Sequence, residues 1–280
     1  QKDSKLTTSS RNNPNPLSEL WLNRELLWKF SARNLELRHK GSLLGIFWSI
    51  LSPLLMLGLY VLVFGFIFGG NLNQDANAET RIEYALGIFI GLAIHHFLAE
   101  ILTISPTIIA TNQNLVKKVV FPTSILPTTV VATALVHFGI SLVLIYIGIL
   151  ASGIPVNYPL LFWLPLVFVP LVLFVLGLSL GLSALGVFWR DILQITPFLS
   201  MALLFASAVF YPVSQIPPPA WTILKFNPLI HWIEEIRKIV FWGHSPNIKH
   251  LGYLWVVGTI ALLLGCFSFH KLRRYFADTL

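Results

Sequence analysis

The distribution of apolar residues constrains this chain more than any other feature of its sequence. Six stretches are long and apolar enough, or nearly so, to form membrane-spanning helices, which need about 20 mostly apolar residues each. They cover approximately residues 43–68, 84–104, 124–151, 159–188, 192–211 and 251–269. Only 11% of all residues are charged, whereas a soluble domain carries about 25%. The sequence therefore predicts an all-α membrane protein with six transmembrane helices.

The positions of lysine and arginine predict how these helices are oriented. An even number of spans places both termini on one side of the membrane, and fourteen of the nineteen Lys and Arg residues fall on that side. Cytoplasmic loops of membrane proteins carry an excess of these residues. We therefore expect both termini in the cytoplasm. The net charge of +7 then indicates topology rather than nucleic-acid binding.

The chain divides where the first apolar stretch begins. Residues 1–42 form a basic cytoplasmic tail, and residues 43–280 form the transmembrane domain. The first apolar stretch is long and begins only near Leu43. We therefore expect it to stay in the membrane as a helix, not to act as a cleaved signal peptide.

The tail contains a predicted amphipathic helix that starts at Asn15-Pro16, because proline suits the first turn of a helix. Tryptophans beside basic residues are typical of a helix that lies in the headgroup layer. Two interpretations stay open: a simple anchor, or a platform that meets anionic lipid or a lipid-linked substrate. In the second, the interface with a lipid diphosphate comprises Trp21, Arg24, Trp28, Lys29, Arg33, Arg38 and Lys40.

The loop after the second span also reads as a short amphipathic helix. Leu115 and Val116 lie at helical spacing beside Lys117 and Lys118, and Phe121-Pro122 ends the pattern because the residue before a proline disfavours helix. Such a helix either packs against its own bundle or docks into a groove of a soluble partner.

The stretch from residue 212 to residue 250 is too long for a tight turn and too apolar for a free loop. Two short helices that are broken at Asn227-Pro228 fit its pattern. They either lie on the membrane surface or re-enter the membrane beside other protein segments. In the re-entrant interpretation, Glu234, Glu235, Arg237 and Lys238 lie near an exit path.

Glu100 is the only acidic residue within a predicted span. A charge at membrane depth is costly, so its carboxylate should face the bundle interior, water or a partner, or else lie near the cytoplasmic interface. His95 and His96 are adjacent and point to different faces of a helix, so we do not predict a metal site there. The single cysteine, Cys266, cannot form an internal disulfide.

The sequence contains no GxxxxGK[ST] phosphate-binding loop. It also has no Ser, His and Asp set and no paired carboxylates within one segment. We therefore do not expect an enzyme, and uphill transport by this chain would need an energy source in another subunit.

Several segments resemble the membrane subunit of bacterial polysaccharide-export ABC transporters, the class that moves lipid-linked O antigen, capsule or teichoic acid. The resemblance extends over nearly the whole chain from about residue 20, although His95-His96 departs from the family pattern. The matching segments are RHKGSLLGIFWSILSP (38–53), FLAE (97–100), NLVKKVVFPTSILP (114–127), FWRDI (188–192), FYP (210–212), NP (227–228) and IEEIR (233–237).

This resemblance implies a permease of the bacterial inner membrane that works as a homodimer with two copies of a separate ATPase subunit. The chain itself then needs no cofactor, because ATP and Mg²⁺ bind the partner subunit. The helix around residues 112–121 becomes a coupling helix that docks on the ATPase. Its site residues are Asn112, Asn114, Leu115, Lys117, Lys118, Phe121 and Pro122.

The resemblance also implies the transport path. The tail helix meets a glycan linked to undecaprenyl diphosphate, O antigen in the first instance, and the two short helices before the last span become re-entrant helices near the periplasmic exit. A channel runs between the protomers and is lined largely by spans one and five. Its aromatic residues, whose rings suit the C–H faces of sugars, are Phe64, Phe68, Trp189, Phe198, Phe205, Phe210 and Tyr211.

Two other functions stay open at the level of the sequence. An ABC permease for small drugs or lipids can share six spans and a coupling loop. A channel or scramblase that works without an ATPase is the second alternative, and the segment from Asn114 to Pro127 argues against it.

Overall fold

The computed structural model describes residues 16–38, 43–68, 72, 80–118 and 121–280. Lys40 lies outside the described residues, as do the side chains of Arg38, Phe68 and Lys118. Within the described part of the chain every regular element is helical, which confirms the predicted all-α class. The α-helices are α1 (Pro16–Leu22), α2 (Arg24–Arg38), α3 (Trp48–Tyr60), α4 (Arg81–Thr111), α5 (Gln113–Lys118), α6 (Ile125–Ala151), α7 (Tyr158–Leu161), α8 (Leu164–Phe188), α9 (Ile192–Ala206), α10 (Pro218–Leu224), α11 (Pro228–Val240), α12 (Ile248–Leu272) and α13 (Phe276–Thr279).

Four helical segments among the described residues are long and apolar enough to cross a membrane: Arg81–Thr111, Ile125–Ala151, Tyr158–Phe188 and Ile248–Thr279. They match the second, third, fourth and sixth predicted spans. The other two predicted spans are shorter apolar helices, Trp48–Phe64 and Ile192–Ala206.

Both shorter helices differ from prediction where the backbone leaves the helical conformation. The sequence predicts that the first span begins near Leu43, but Gly45 has a positive φ of 49°, and the α-helix begins only at Trp48. Helix α3 then continues as a π-helix over Val61–Phe68. The sequence predicts that the fifth span reaches Tyr211, but α9 ends at Ala206.

Helix α4 forms the centre of the bundle, and α6, α8 and α9 pack around it. In its most apolar window 83% of the residues are buried, whereas only 28%, 28% and 22% are buried in the corresponding windows of the other three long segments, as expected of helices that face lipid. The predicted span that contains His95 and Glu100 is therefore the central one, and these two side chains find partners on α9 and α6.

Helices α8 and α12 approach each other at glycines. A Cβ atom at Gly258 would lie 2.4 Å from the carbonyl oxygen of Pro170, and one at Gly265 would lie 2.0 Å from that of Gly177. Small residues allow two membrane helices to pack with their backbones in contact. The glycines of α12 therefore allow the last span to pack directly against α8.

The end of α9 is determined by a buried arginine from α11. Arg237 is 1% exposed and donates to the carbonyl oxygens of Gly87, Ala208 and Val209 at 2.9, 2.9 and 2.6 Å. Ala208 has a positive φ of 53°, and Asn227 donates to the carbonyl of Ala206 at 3.0 Å. These bonds satisfy the carbonyls of Ala206, Ala208 and Val209, which a longer α9 would have paired with its own N–H groups. Helix α9 therefore ends earlier than predicted, although the apolar sequence continues.

Candidate functional site

The first candidate region lies at the end of the bundle that carries α5, which we call the α5 end. Asn112 separates α4 from α5: its side chain donates to the carbonyl of Ile108 at 2.9 Å, and its own carbonyl accepts from the backbone N–H of Leu115 at 2.9 Å. Phe121 and Pro122 follow α5 outside any helix, and the Pro122 carbonyl accepts from Ile125 as α6 begins.

Helix α5 presents two different faces. Leu115 and Val116 pack in an apolar cluster with the buried side chain of Phe276 and with Leu280. Asn114 and Lys117 are exposed. The apolar face therefore lies against the protein's own bundle, and the polar face is the one available to a partner.

The tail helix is present as α1 and α2 and lies against the same end of the bundle. The ring of Phe30 in α2 lies 5.3 Å from that of Phe121. Glu19 in α1 accepts from Ser124 Oγ at 2.7 Å and from Arg273 Nη1 at 3.0 Å. The predicted lipid-facing helix and the predicted coupling segment are therefore adjacent in the structure.

Sequence reasoning did not identify Glu19, Ser124 or Arg273 as a group. No local pattern connects three residues that lie so far apart along the chain.

The two tryptophans of the tail face away from the bundle. Trp21 and Trp28 are 74% and 76% exposed, and the guanidinium of Arg24 lies 5.7 Å from the centre of the Trp21 ring. Lys29 and Arg33 are also exposed. This surface combines apolar rings with cations, which suits the boundary between lipid headgroups and acyl chains.

The predicted channel aromatics separate into two groups. Phe64 stacks on Phe210, with ring centroids 5.4 Å apart, and Phe210 lies 6.2 Å from Phe205. The hydroxyl of Tyr211 donates to the carbonyl of Phe205, so these four residues form one aromatic cluster. Phe198 and Trp189 lie apart from that cluster and are 75% and 50% exposed.

Glu100 lies within α4 and pairs with a histidine of α6. Its Oε2 is 3.1 Å from Nδ1 of His137, and both side chains line a cavity of about 440 Å³ between α3, α4 and α6. The sequence indicated that Glu100 needs a partner but did not identify His137, because pairing between α4 and α6 is a tertiary property.

The two adjacent histidines of α4 have different surroundings, as predicted. His95 is buried and donates through Nε2 to the carbonyl of Ser200 in α9 at 2.9 Å, whereas His96 lines the cavity beside Glu100. In the described part of the chain, no three His, Cys, Asp or Glu side chains group in a way that could hold a metal ion.

The structure combines long apolar helices, a central helix that carries polar side chains, and an amphipathic helix against one end of the bundle. This arrangement is typical of a polytopic membrane protein. The chain belongs to the ABC-2 type transporter family, whose model matches residues 25–241. Permeases of this family work with ATPase subunits in ABC transporters, and the ATPase activity lies in that separate subunit.

Several known permeases are similar in sequence to this chain over most of their length. The O-antigen export system permease protein RfbA of Myxococcus xanthus is 29% identical, covering 94% of this chain and 98% of that protein. The protein of the same name from Klebsiella pneumoniae is 26% identical, covering 91% and 95%. The polysialic acid transport protein KpsM of Escherichia coli is 25% identical, covering 83% and 88%.

Proposed function

We propose that this chain is the permease subunit of an ATP-driven exporter that moves lipid-linked polysaccharide from the cytoplasm to the periplasm. Its substrate is O antigen linked to undecaprenyl diphosphate. The observation that carries this proposal is the similarity to O-antigen export permeases over more than nine-tenths of both chains. The exposed tryptophans of the tail helix support it, because a lipid-linked substrate must be met at the membrane surface.

The working unit is a homodimer in the inner membrane with two ATPase subunits, which bind ATP and Mg²⁺. Each copy crosses the membrane six times and keeps both termini in the cytoplasm, with the tail of residues 1–42 on the cytoplasmic face. The short helices α3 and α9 complete the six spans, and α10 and α11 re-enter the membrane from outside.

The exposed apolar faces of α3 and α9 support the homodimer. Leu55 and Phe66 on the first segment are 58% and 65% exposed, and Phe198 and Met201 on the second are 75% and 63% exposed. In a membrane such faces contact either lipid or another protein subunit, so they leave surface for a second copy. A second copy covers part of these faces, and the aromatic residues that stay exposed line a channel between the protomers.

The polar face of α5 docks on the ATPase subunit. Asn114 and Lys117 contact the partner directly, whereas Leu115 transmits the motion because it packs against α13 of its own chain. ATP binding and hydrolysis by the partner shift α5 and, through it, the ends of α4 and α6.

The substrate enters at the surface of α1 and α2. Trp21 and Trp28 hold the helix in the headgroup layer, and Arg24, Lys29 and Arg33 bind the diphosphate through charge-assisted hydrogen bonds. The sequence-based proposal adds Arg38 and Lys40 to the residues that bind the diphosphate. The lipid headgroup is then reoriented, and the glycan passes stepwise along aromatic rings that tolerate different sugars.

Affinity purification of the tagged chain in mild detergent, with mass analysis of what accompanies it, tests this proposal. We expect an ATPase subunit in equal amount together with a glycan-linked polyprenyl diphosphate. An ATPase without any glycolipid would favour a permease for drugs or simple lipids. Absence of an ATPase under several gentle conditions would contradict the coupling role of α5.

A further inference from the structure

The opposite end of the bundle, which carries α10 and α11, contains a cavity of about 660 Å³. Its walls come from the segment after α9, from α11 and from the connection between α11 and α12. We call it the α11 cavity. Its volume falls in the range of small-molecule binding sites, roughly 300–1,000 Å³. The polar and aromatic groups that line it include Ser214, Glu234, Lys238, Trp242, His244 and Asn247.

Two of these side chains have unused hydrogen-bonding capacity. Within the described residues, the carboxylate of Glu234 accepts no hydrogen bond, and the indole N–H of Trp242 donates none. Ser214 and His244 are exposed at the rim of the cavity. The lining thus offers acceptors and donors around one aromatic ring, a combination that suits a molecule carrying both hydroxyl groups and an apolar face.

The walls of the cavity are held in place by the fully buried carboxylate of Glu235. It accepts from Nζ of Lys238 at 3.0 Å, from the backbone N–H of Asn247 at 2.8 Å and from Nδ1 of His250 at 2.7 Å. Arg237 anchors the same helix to the carbonyls of α4 and of the segment after α9. The cavity is therefore formed before any ligand arrives, which lowers the entropic cost of binding.

The charges of the lining disfavour an anion as the ligand. Lys238, the lysine of the lining, already binds Glu235, and the additional acidic group Glu234 would repel a phosphate. A neutral polar ligand is not repelled by Glu234 and does not need a cation that is free to bind it.

We propose that the α11 cavity binds hydroxyl-rich pyranose units of the exported glycan as the glycan leaves the membrane, with one such site in each copy of the permease. The Trp242 ring packs on the C–H face of a sugar, and Glu234 and Asn247 bind its hydroxyl groups. This inference rests on the proposed function, because it takes the exported polymer as the source of the sugar.

Protection of an engineered cysteine tests the proposal in the intact transporter. Cys266 is first replaced by alanine, and Ser214→Cys then places one thiol at the rim of the α11 cavity. Thr222→Cys on α10 is the matched control, because Thr222 is exposed at the same end of the molecule and does not line the cavity. A small, membrane-impermeant thiol reagent is applied to cells that make the polymer and to cells in which polymer synthesis is blocked.

We expect polymer synthesis to slow the labelling of Ser214→Cys several-fold and to leave that of Thr222→Cys unchanged. Adding Trp242→Ala should weaken the protection roughly two- to tenfold, the contribution of one aromatic contact. Trp242→Phe should restore most of it. Phe226→Ala, at an exposed aromatic residue of the same region, should leave protection intact.

Three results would overturn the proposal, and they are distinguishable. Equal labelling of Ser214→Cys with and without polymer, in a variant that still exports, would reject the sugar site and leave the proposed function standing. Protection of both cysteines would indicate general shielding of the surface. Unchanged surface polymer after deletion of the permease gene would reject the proposed function itself.

Discussion

Arg273, just beyond α12, donates to the carboxylate of Glu19 in α1 at 3.0 Å although 254 positions separate the two residues along the chain. Their side chains are only 7% and 12% exposed. The ion pair joins the tail helix to the last long helix, and Ser124, at the start of α6, donates to the same carboxylate oxygen. Movement of the tail is therefore coupled to the bundle next to α5.

Replacing Glu19 by glutamine should destabilise the protein. The change removes one charge of a mostly buried pair and weakens the hydrogen bond from Arg273 to this side chain, at a cost of about 1.5–3 kcal/mol. We expect a lower temperature of unfolding in detergent. Glu25→Gln is the control because Glu25 is exposed on the adjacent helix, and equal unfolding temperatures for the two variants would contradict the structural role of Glu19.

The double substitution Lys117→Glu with Lys118→Glu should abolish most binding of the ATPase subunit, and export with it. Lys117 is exposed on the polar face of α5, so reversal of charge alters the docking surface without disturbing Leu115 and Val116. Binding is measured by co-purification and export by the amount of surface polymer. Lys225→Glu, at the opposite end of the bundle, is the matched control. Normal ATPase binding together with normal export in the double variant would exclude the docking role.

Gly258→Ala should destabilise the packing of α8 on α12. The added methyl group would lie 2.4 Å from the carbonyl oxygen of Pro170, and overpacking of this kind costs about 1–3 kcal/mol. Gly252→Ala on the same helix provides the control, because a Cβ atom at Gly252 meets nothing within 4 Å and alanine favours helix. In thermal unfolding, Gly258→Ala should lower the unfolding temperature and Gly252→Ala should raise it. A Gly258→Ala protein as stable as wild type would refute the close contact.

Lowering the pH should weaken the corner where α11 meets α12. Burial lowers the pKa of His231 below its ordinary value of 6.5, so the unfolded chain takes up a proton at this residue before the folded one does. The contribution of neutral His231 to stability is therefore fully present above pH 6.5 and is lost as the pH falls through the lowered pKa of the folded state. The titratable groups around His231 include His250, Glu235, Lys238 and Tyr253.

The unfolding temperature measured between about pH 7.5 and pH 5.5 checks this expectation. His231→Gln retains a donor for the carbonyl of Lys225, which His231 Nε2 contacts at 2.8 Å, but cannot take up a proton. We expect this variant to lose part of the pH dependence, whereas His244→Gln at an exposed position should keep it. An identical pH profile for His231→Gln and wild type would show that another group is responsible.

Replacing Trp21 and Trp28 together by alanine should lower export several-fold without lowering stability. Both rings are exposed, so their removal costs little packing but weakens the hold of the tail on the headgroup layer. The paired change to phenylalanine should preserve most export because an apolar ring is retained. Surface polymer and the unfolding temperature are measured on both variants, and full export without the rings would contradict a role at the lipid surface.

Features that depend on neighbouring residues were predictable from the sequence. The tail helix after Asn15-Pro16, the break at Asn227-Pro228 and the different faces of His95 and His96 follow from helical geometry and from proline chemistry. Four of the spans were found close to their predicted positions for the same reason. The residues of the coupling and lipid-facing sites were assigned through resemblance, and their roles stay predictions.

The sequence by itself determined the helical class, the apolar segments and the helix breaks at prolines, because hydrophobic periodicity and backbone preferences act over a few residues. Only the tertiary structure decided that α9 ends at Ala206, that Glu100 pairs with His137 and that Glu19 meets Arg273. Each of these outcomes depends on which helices lie side by side. A buried charge must find its partner across the packed bundle, and no local pattern in the chain specifies where that partner lies.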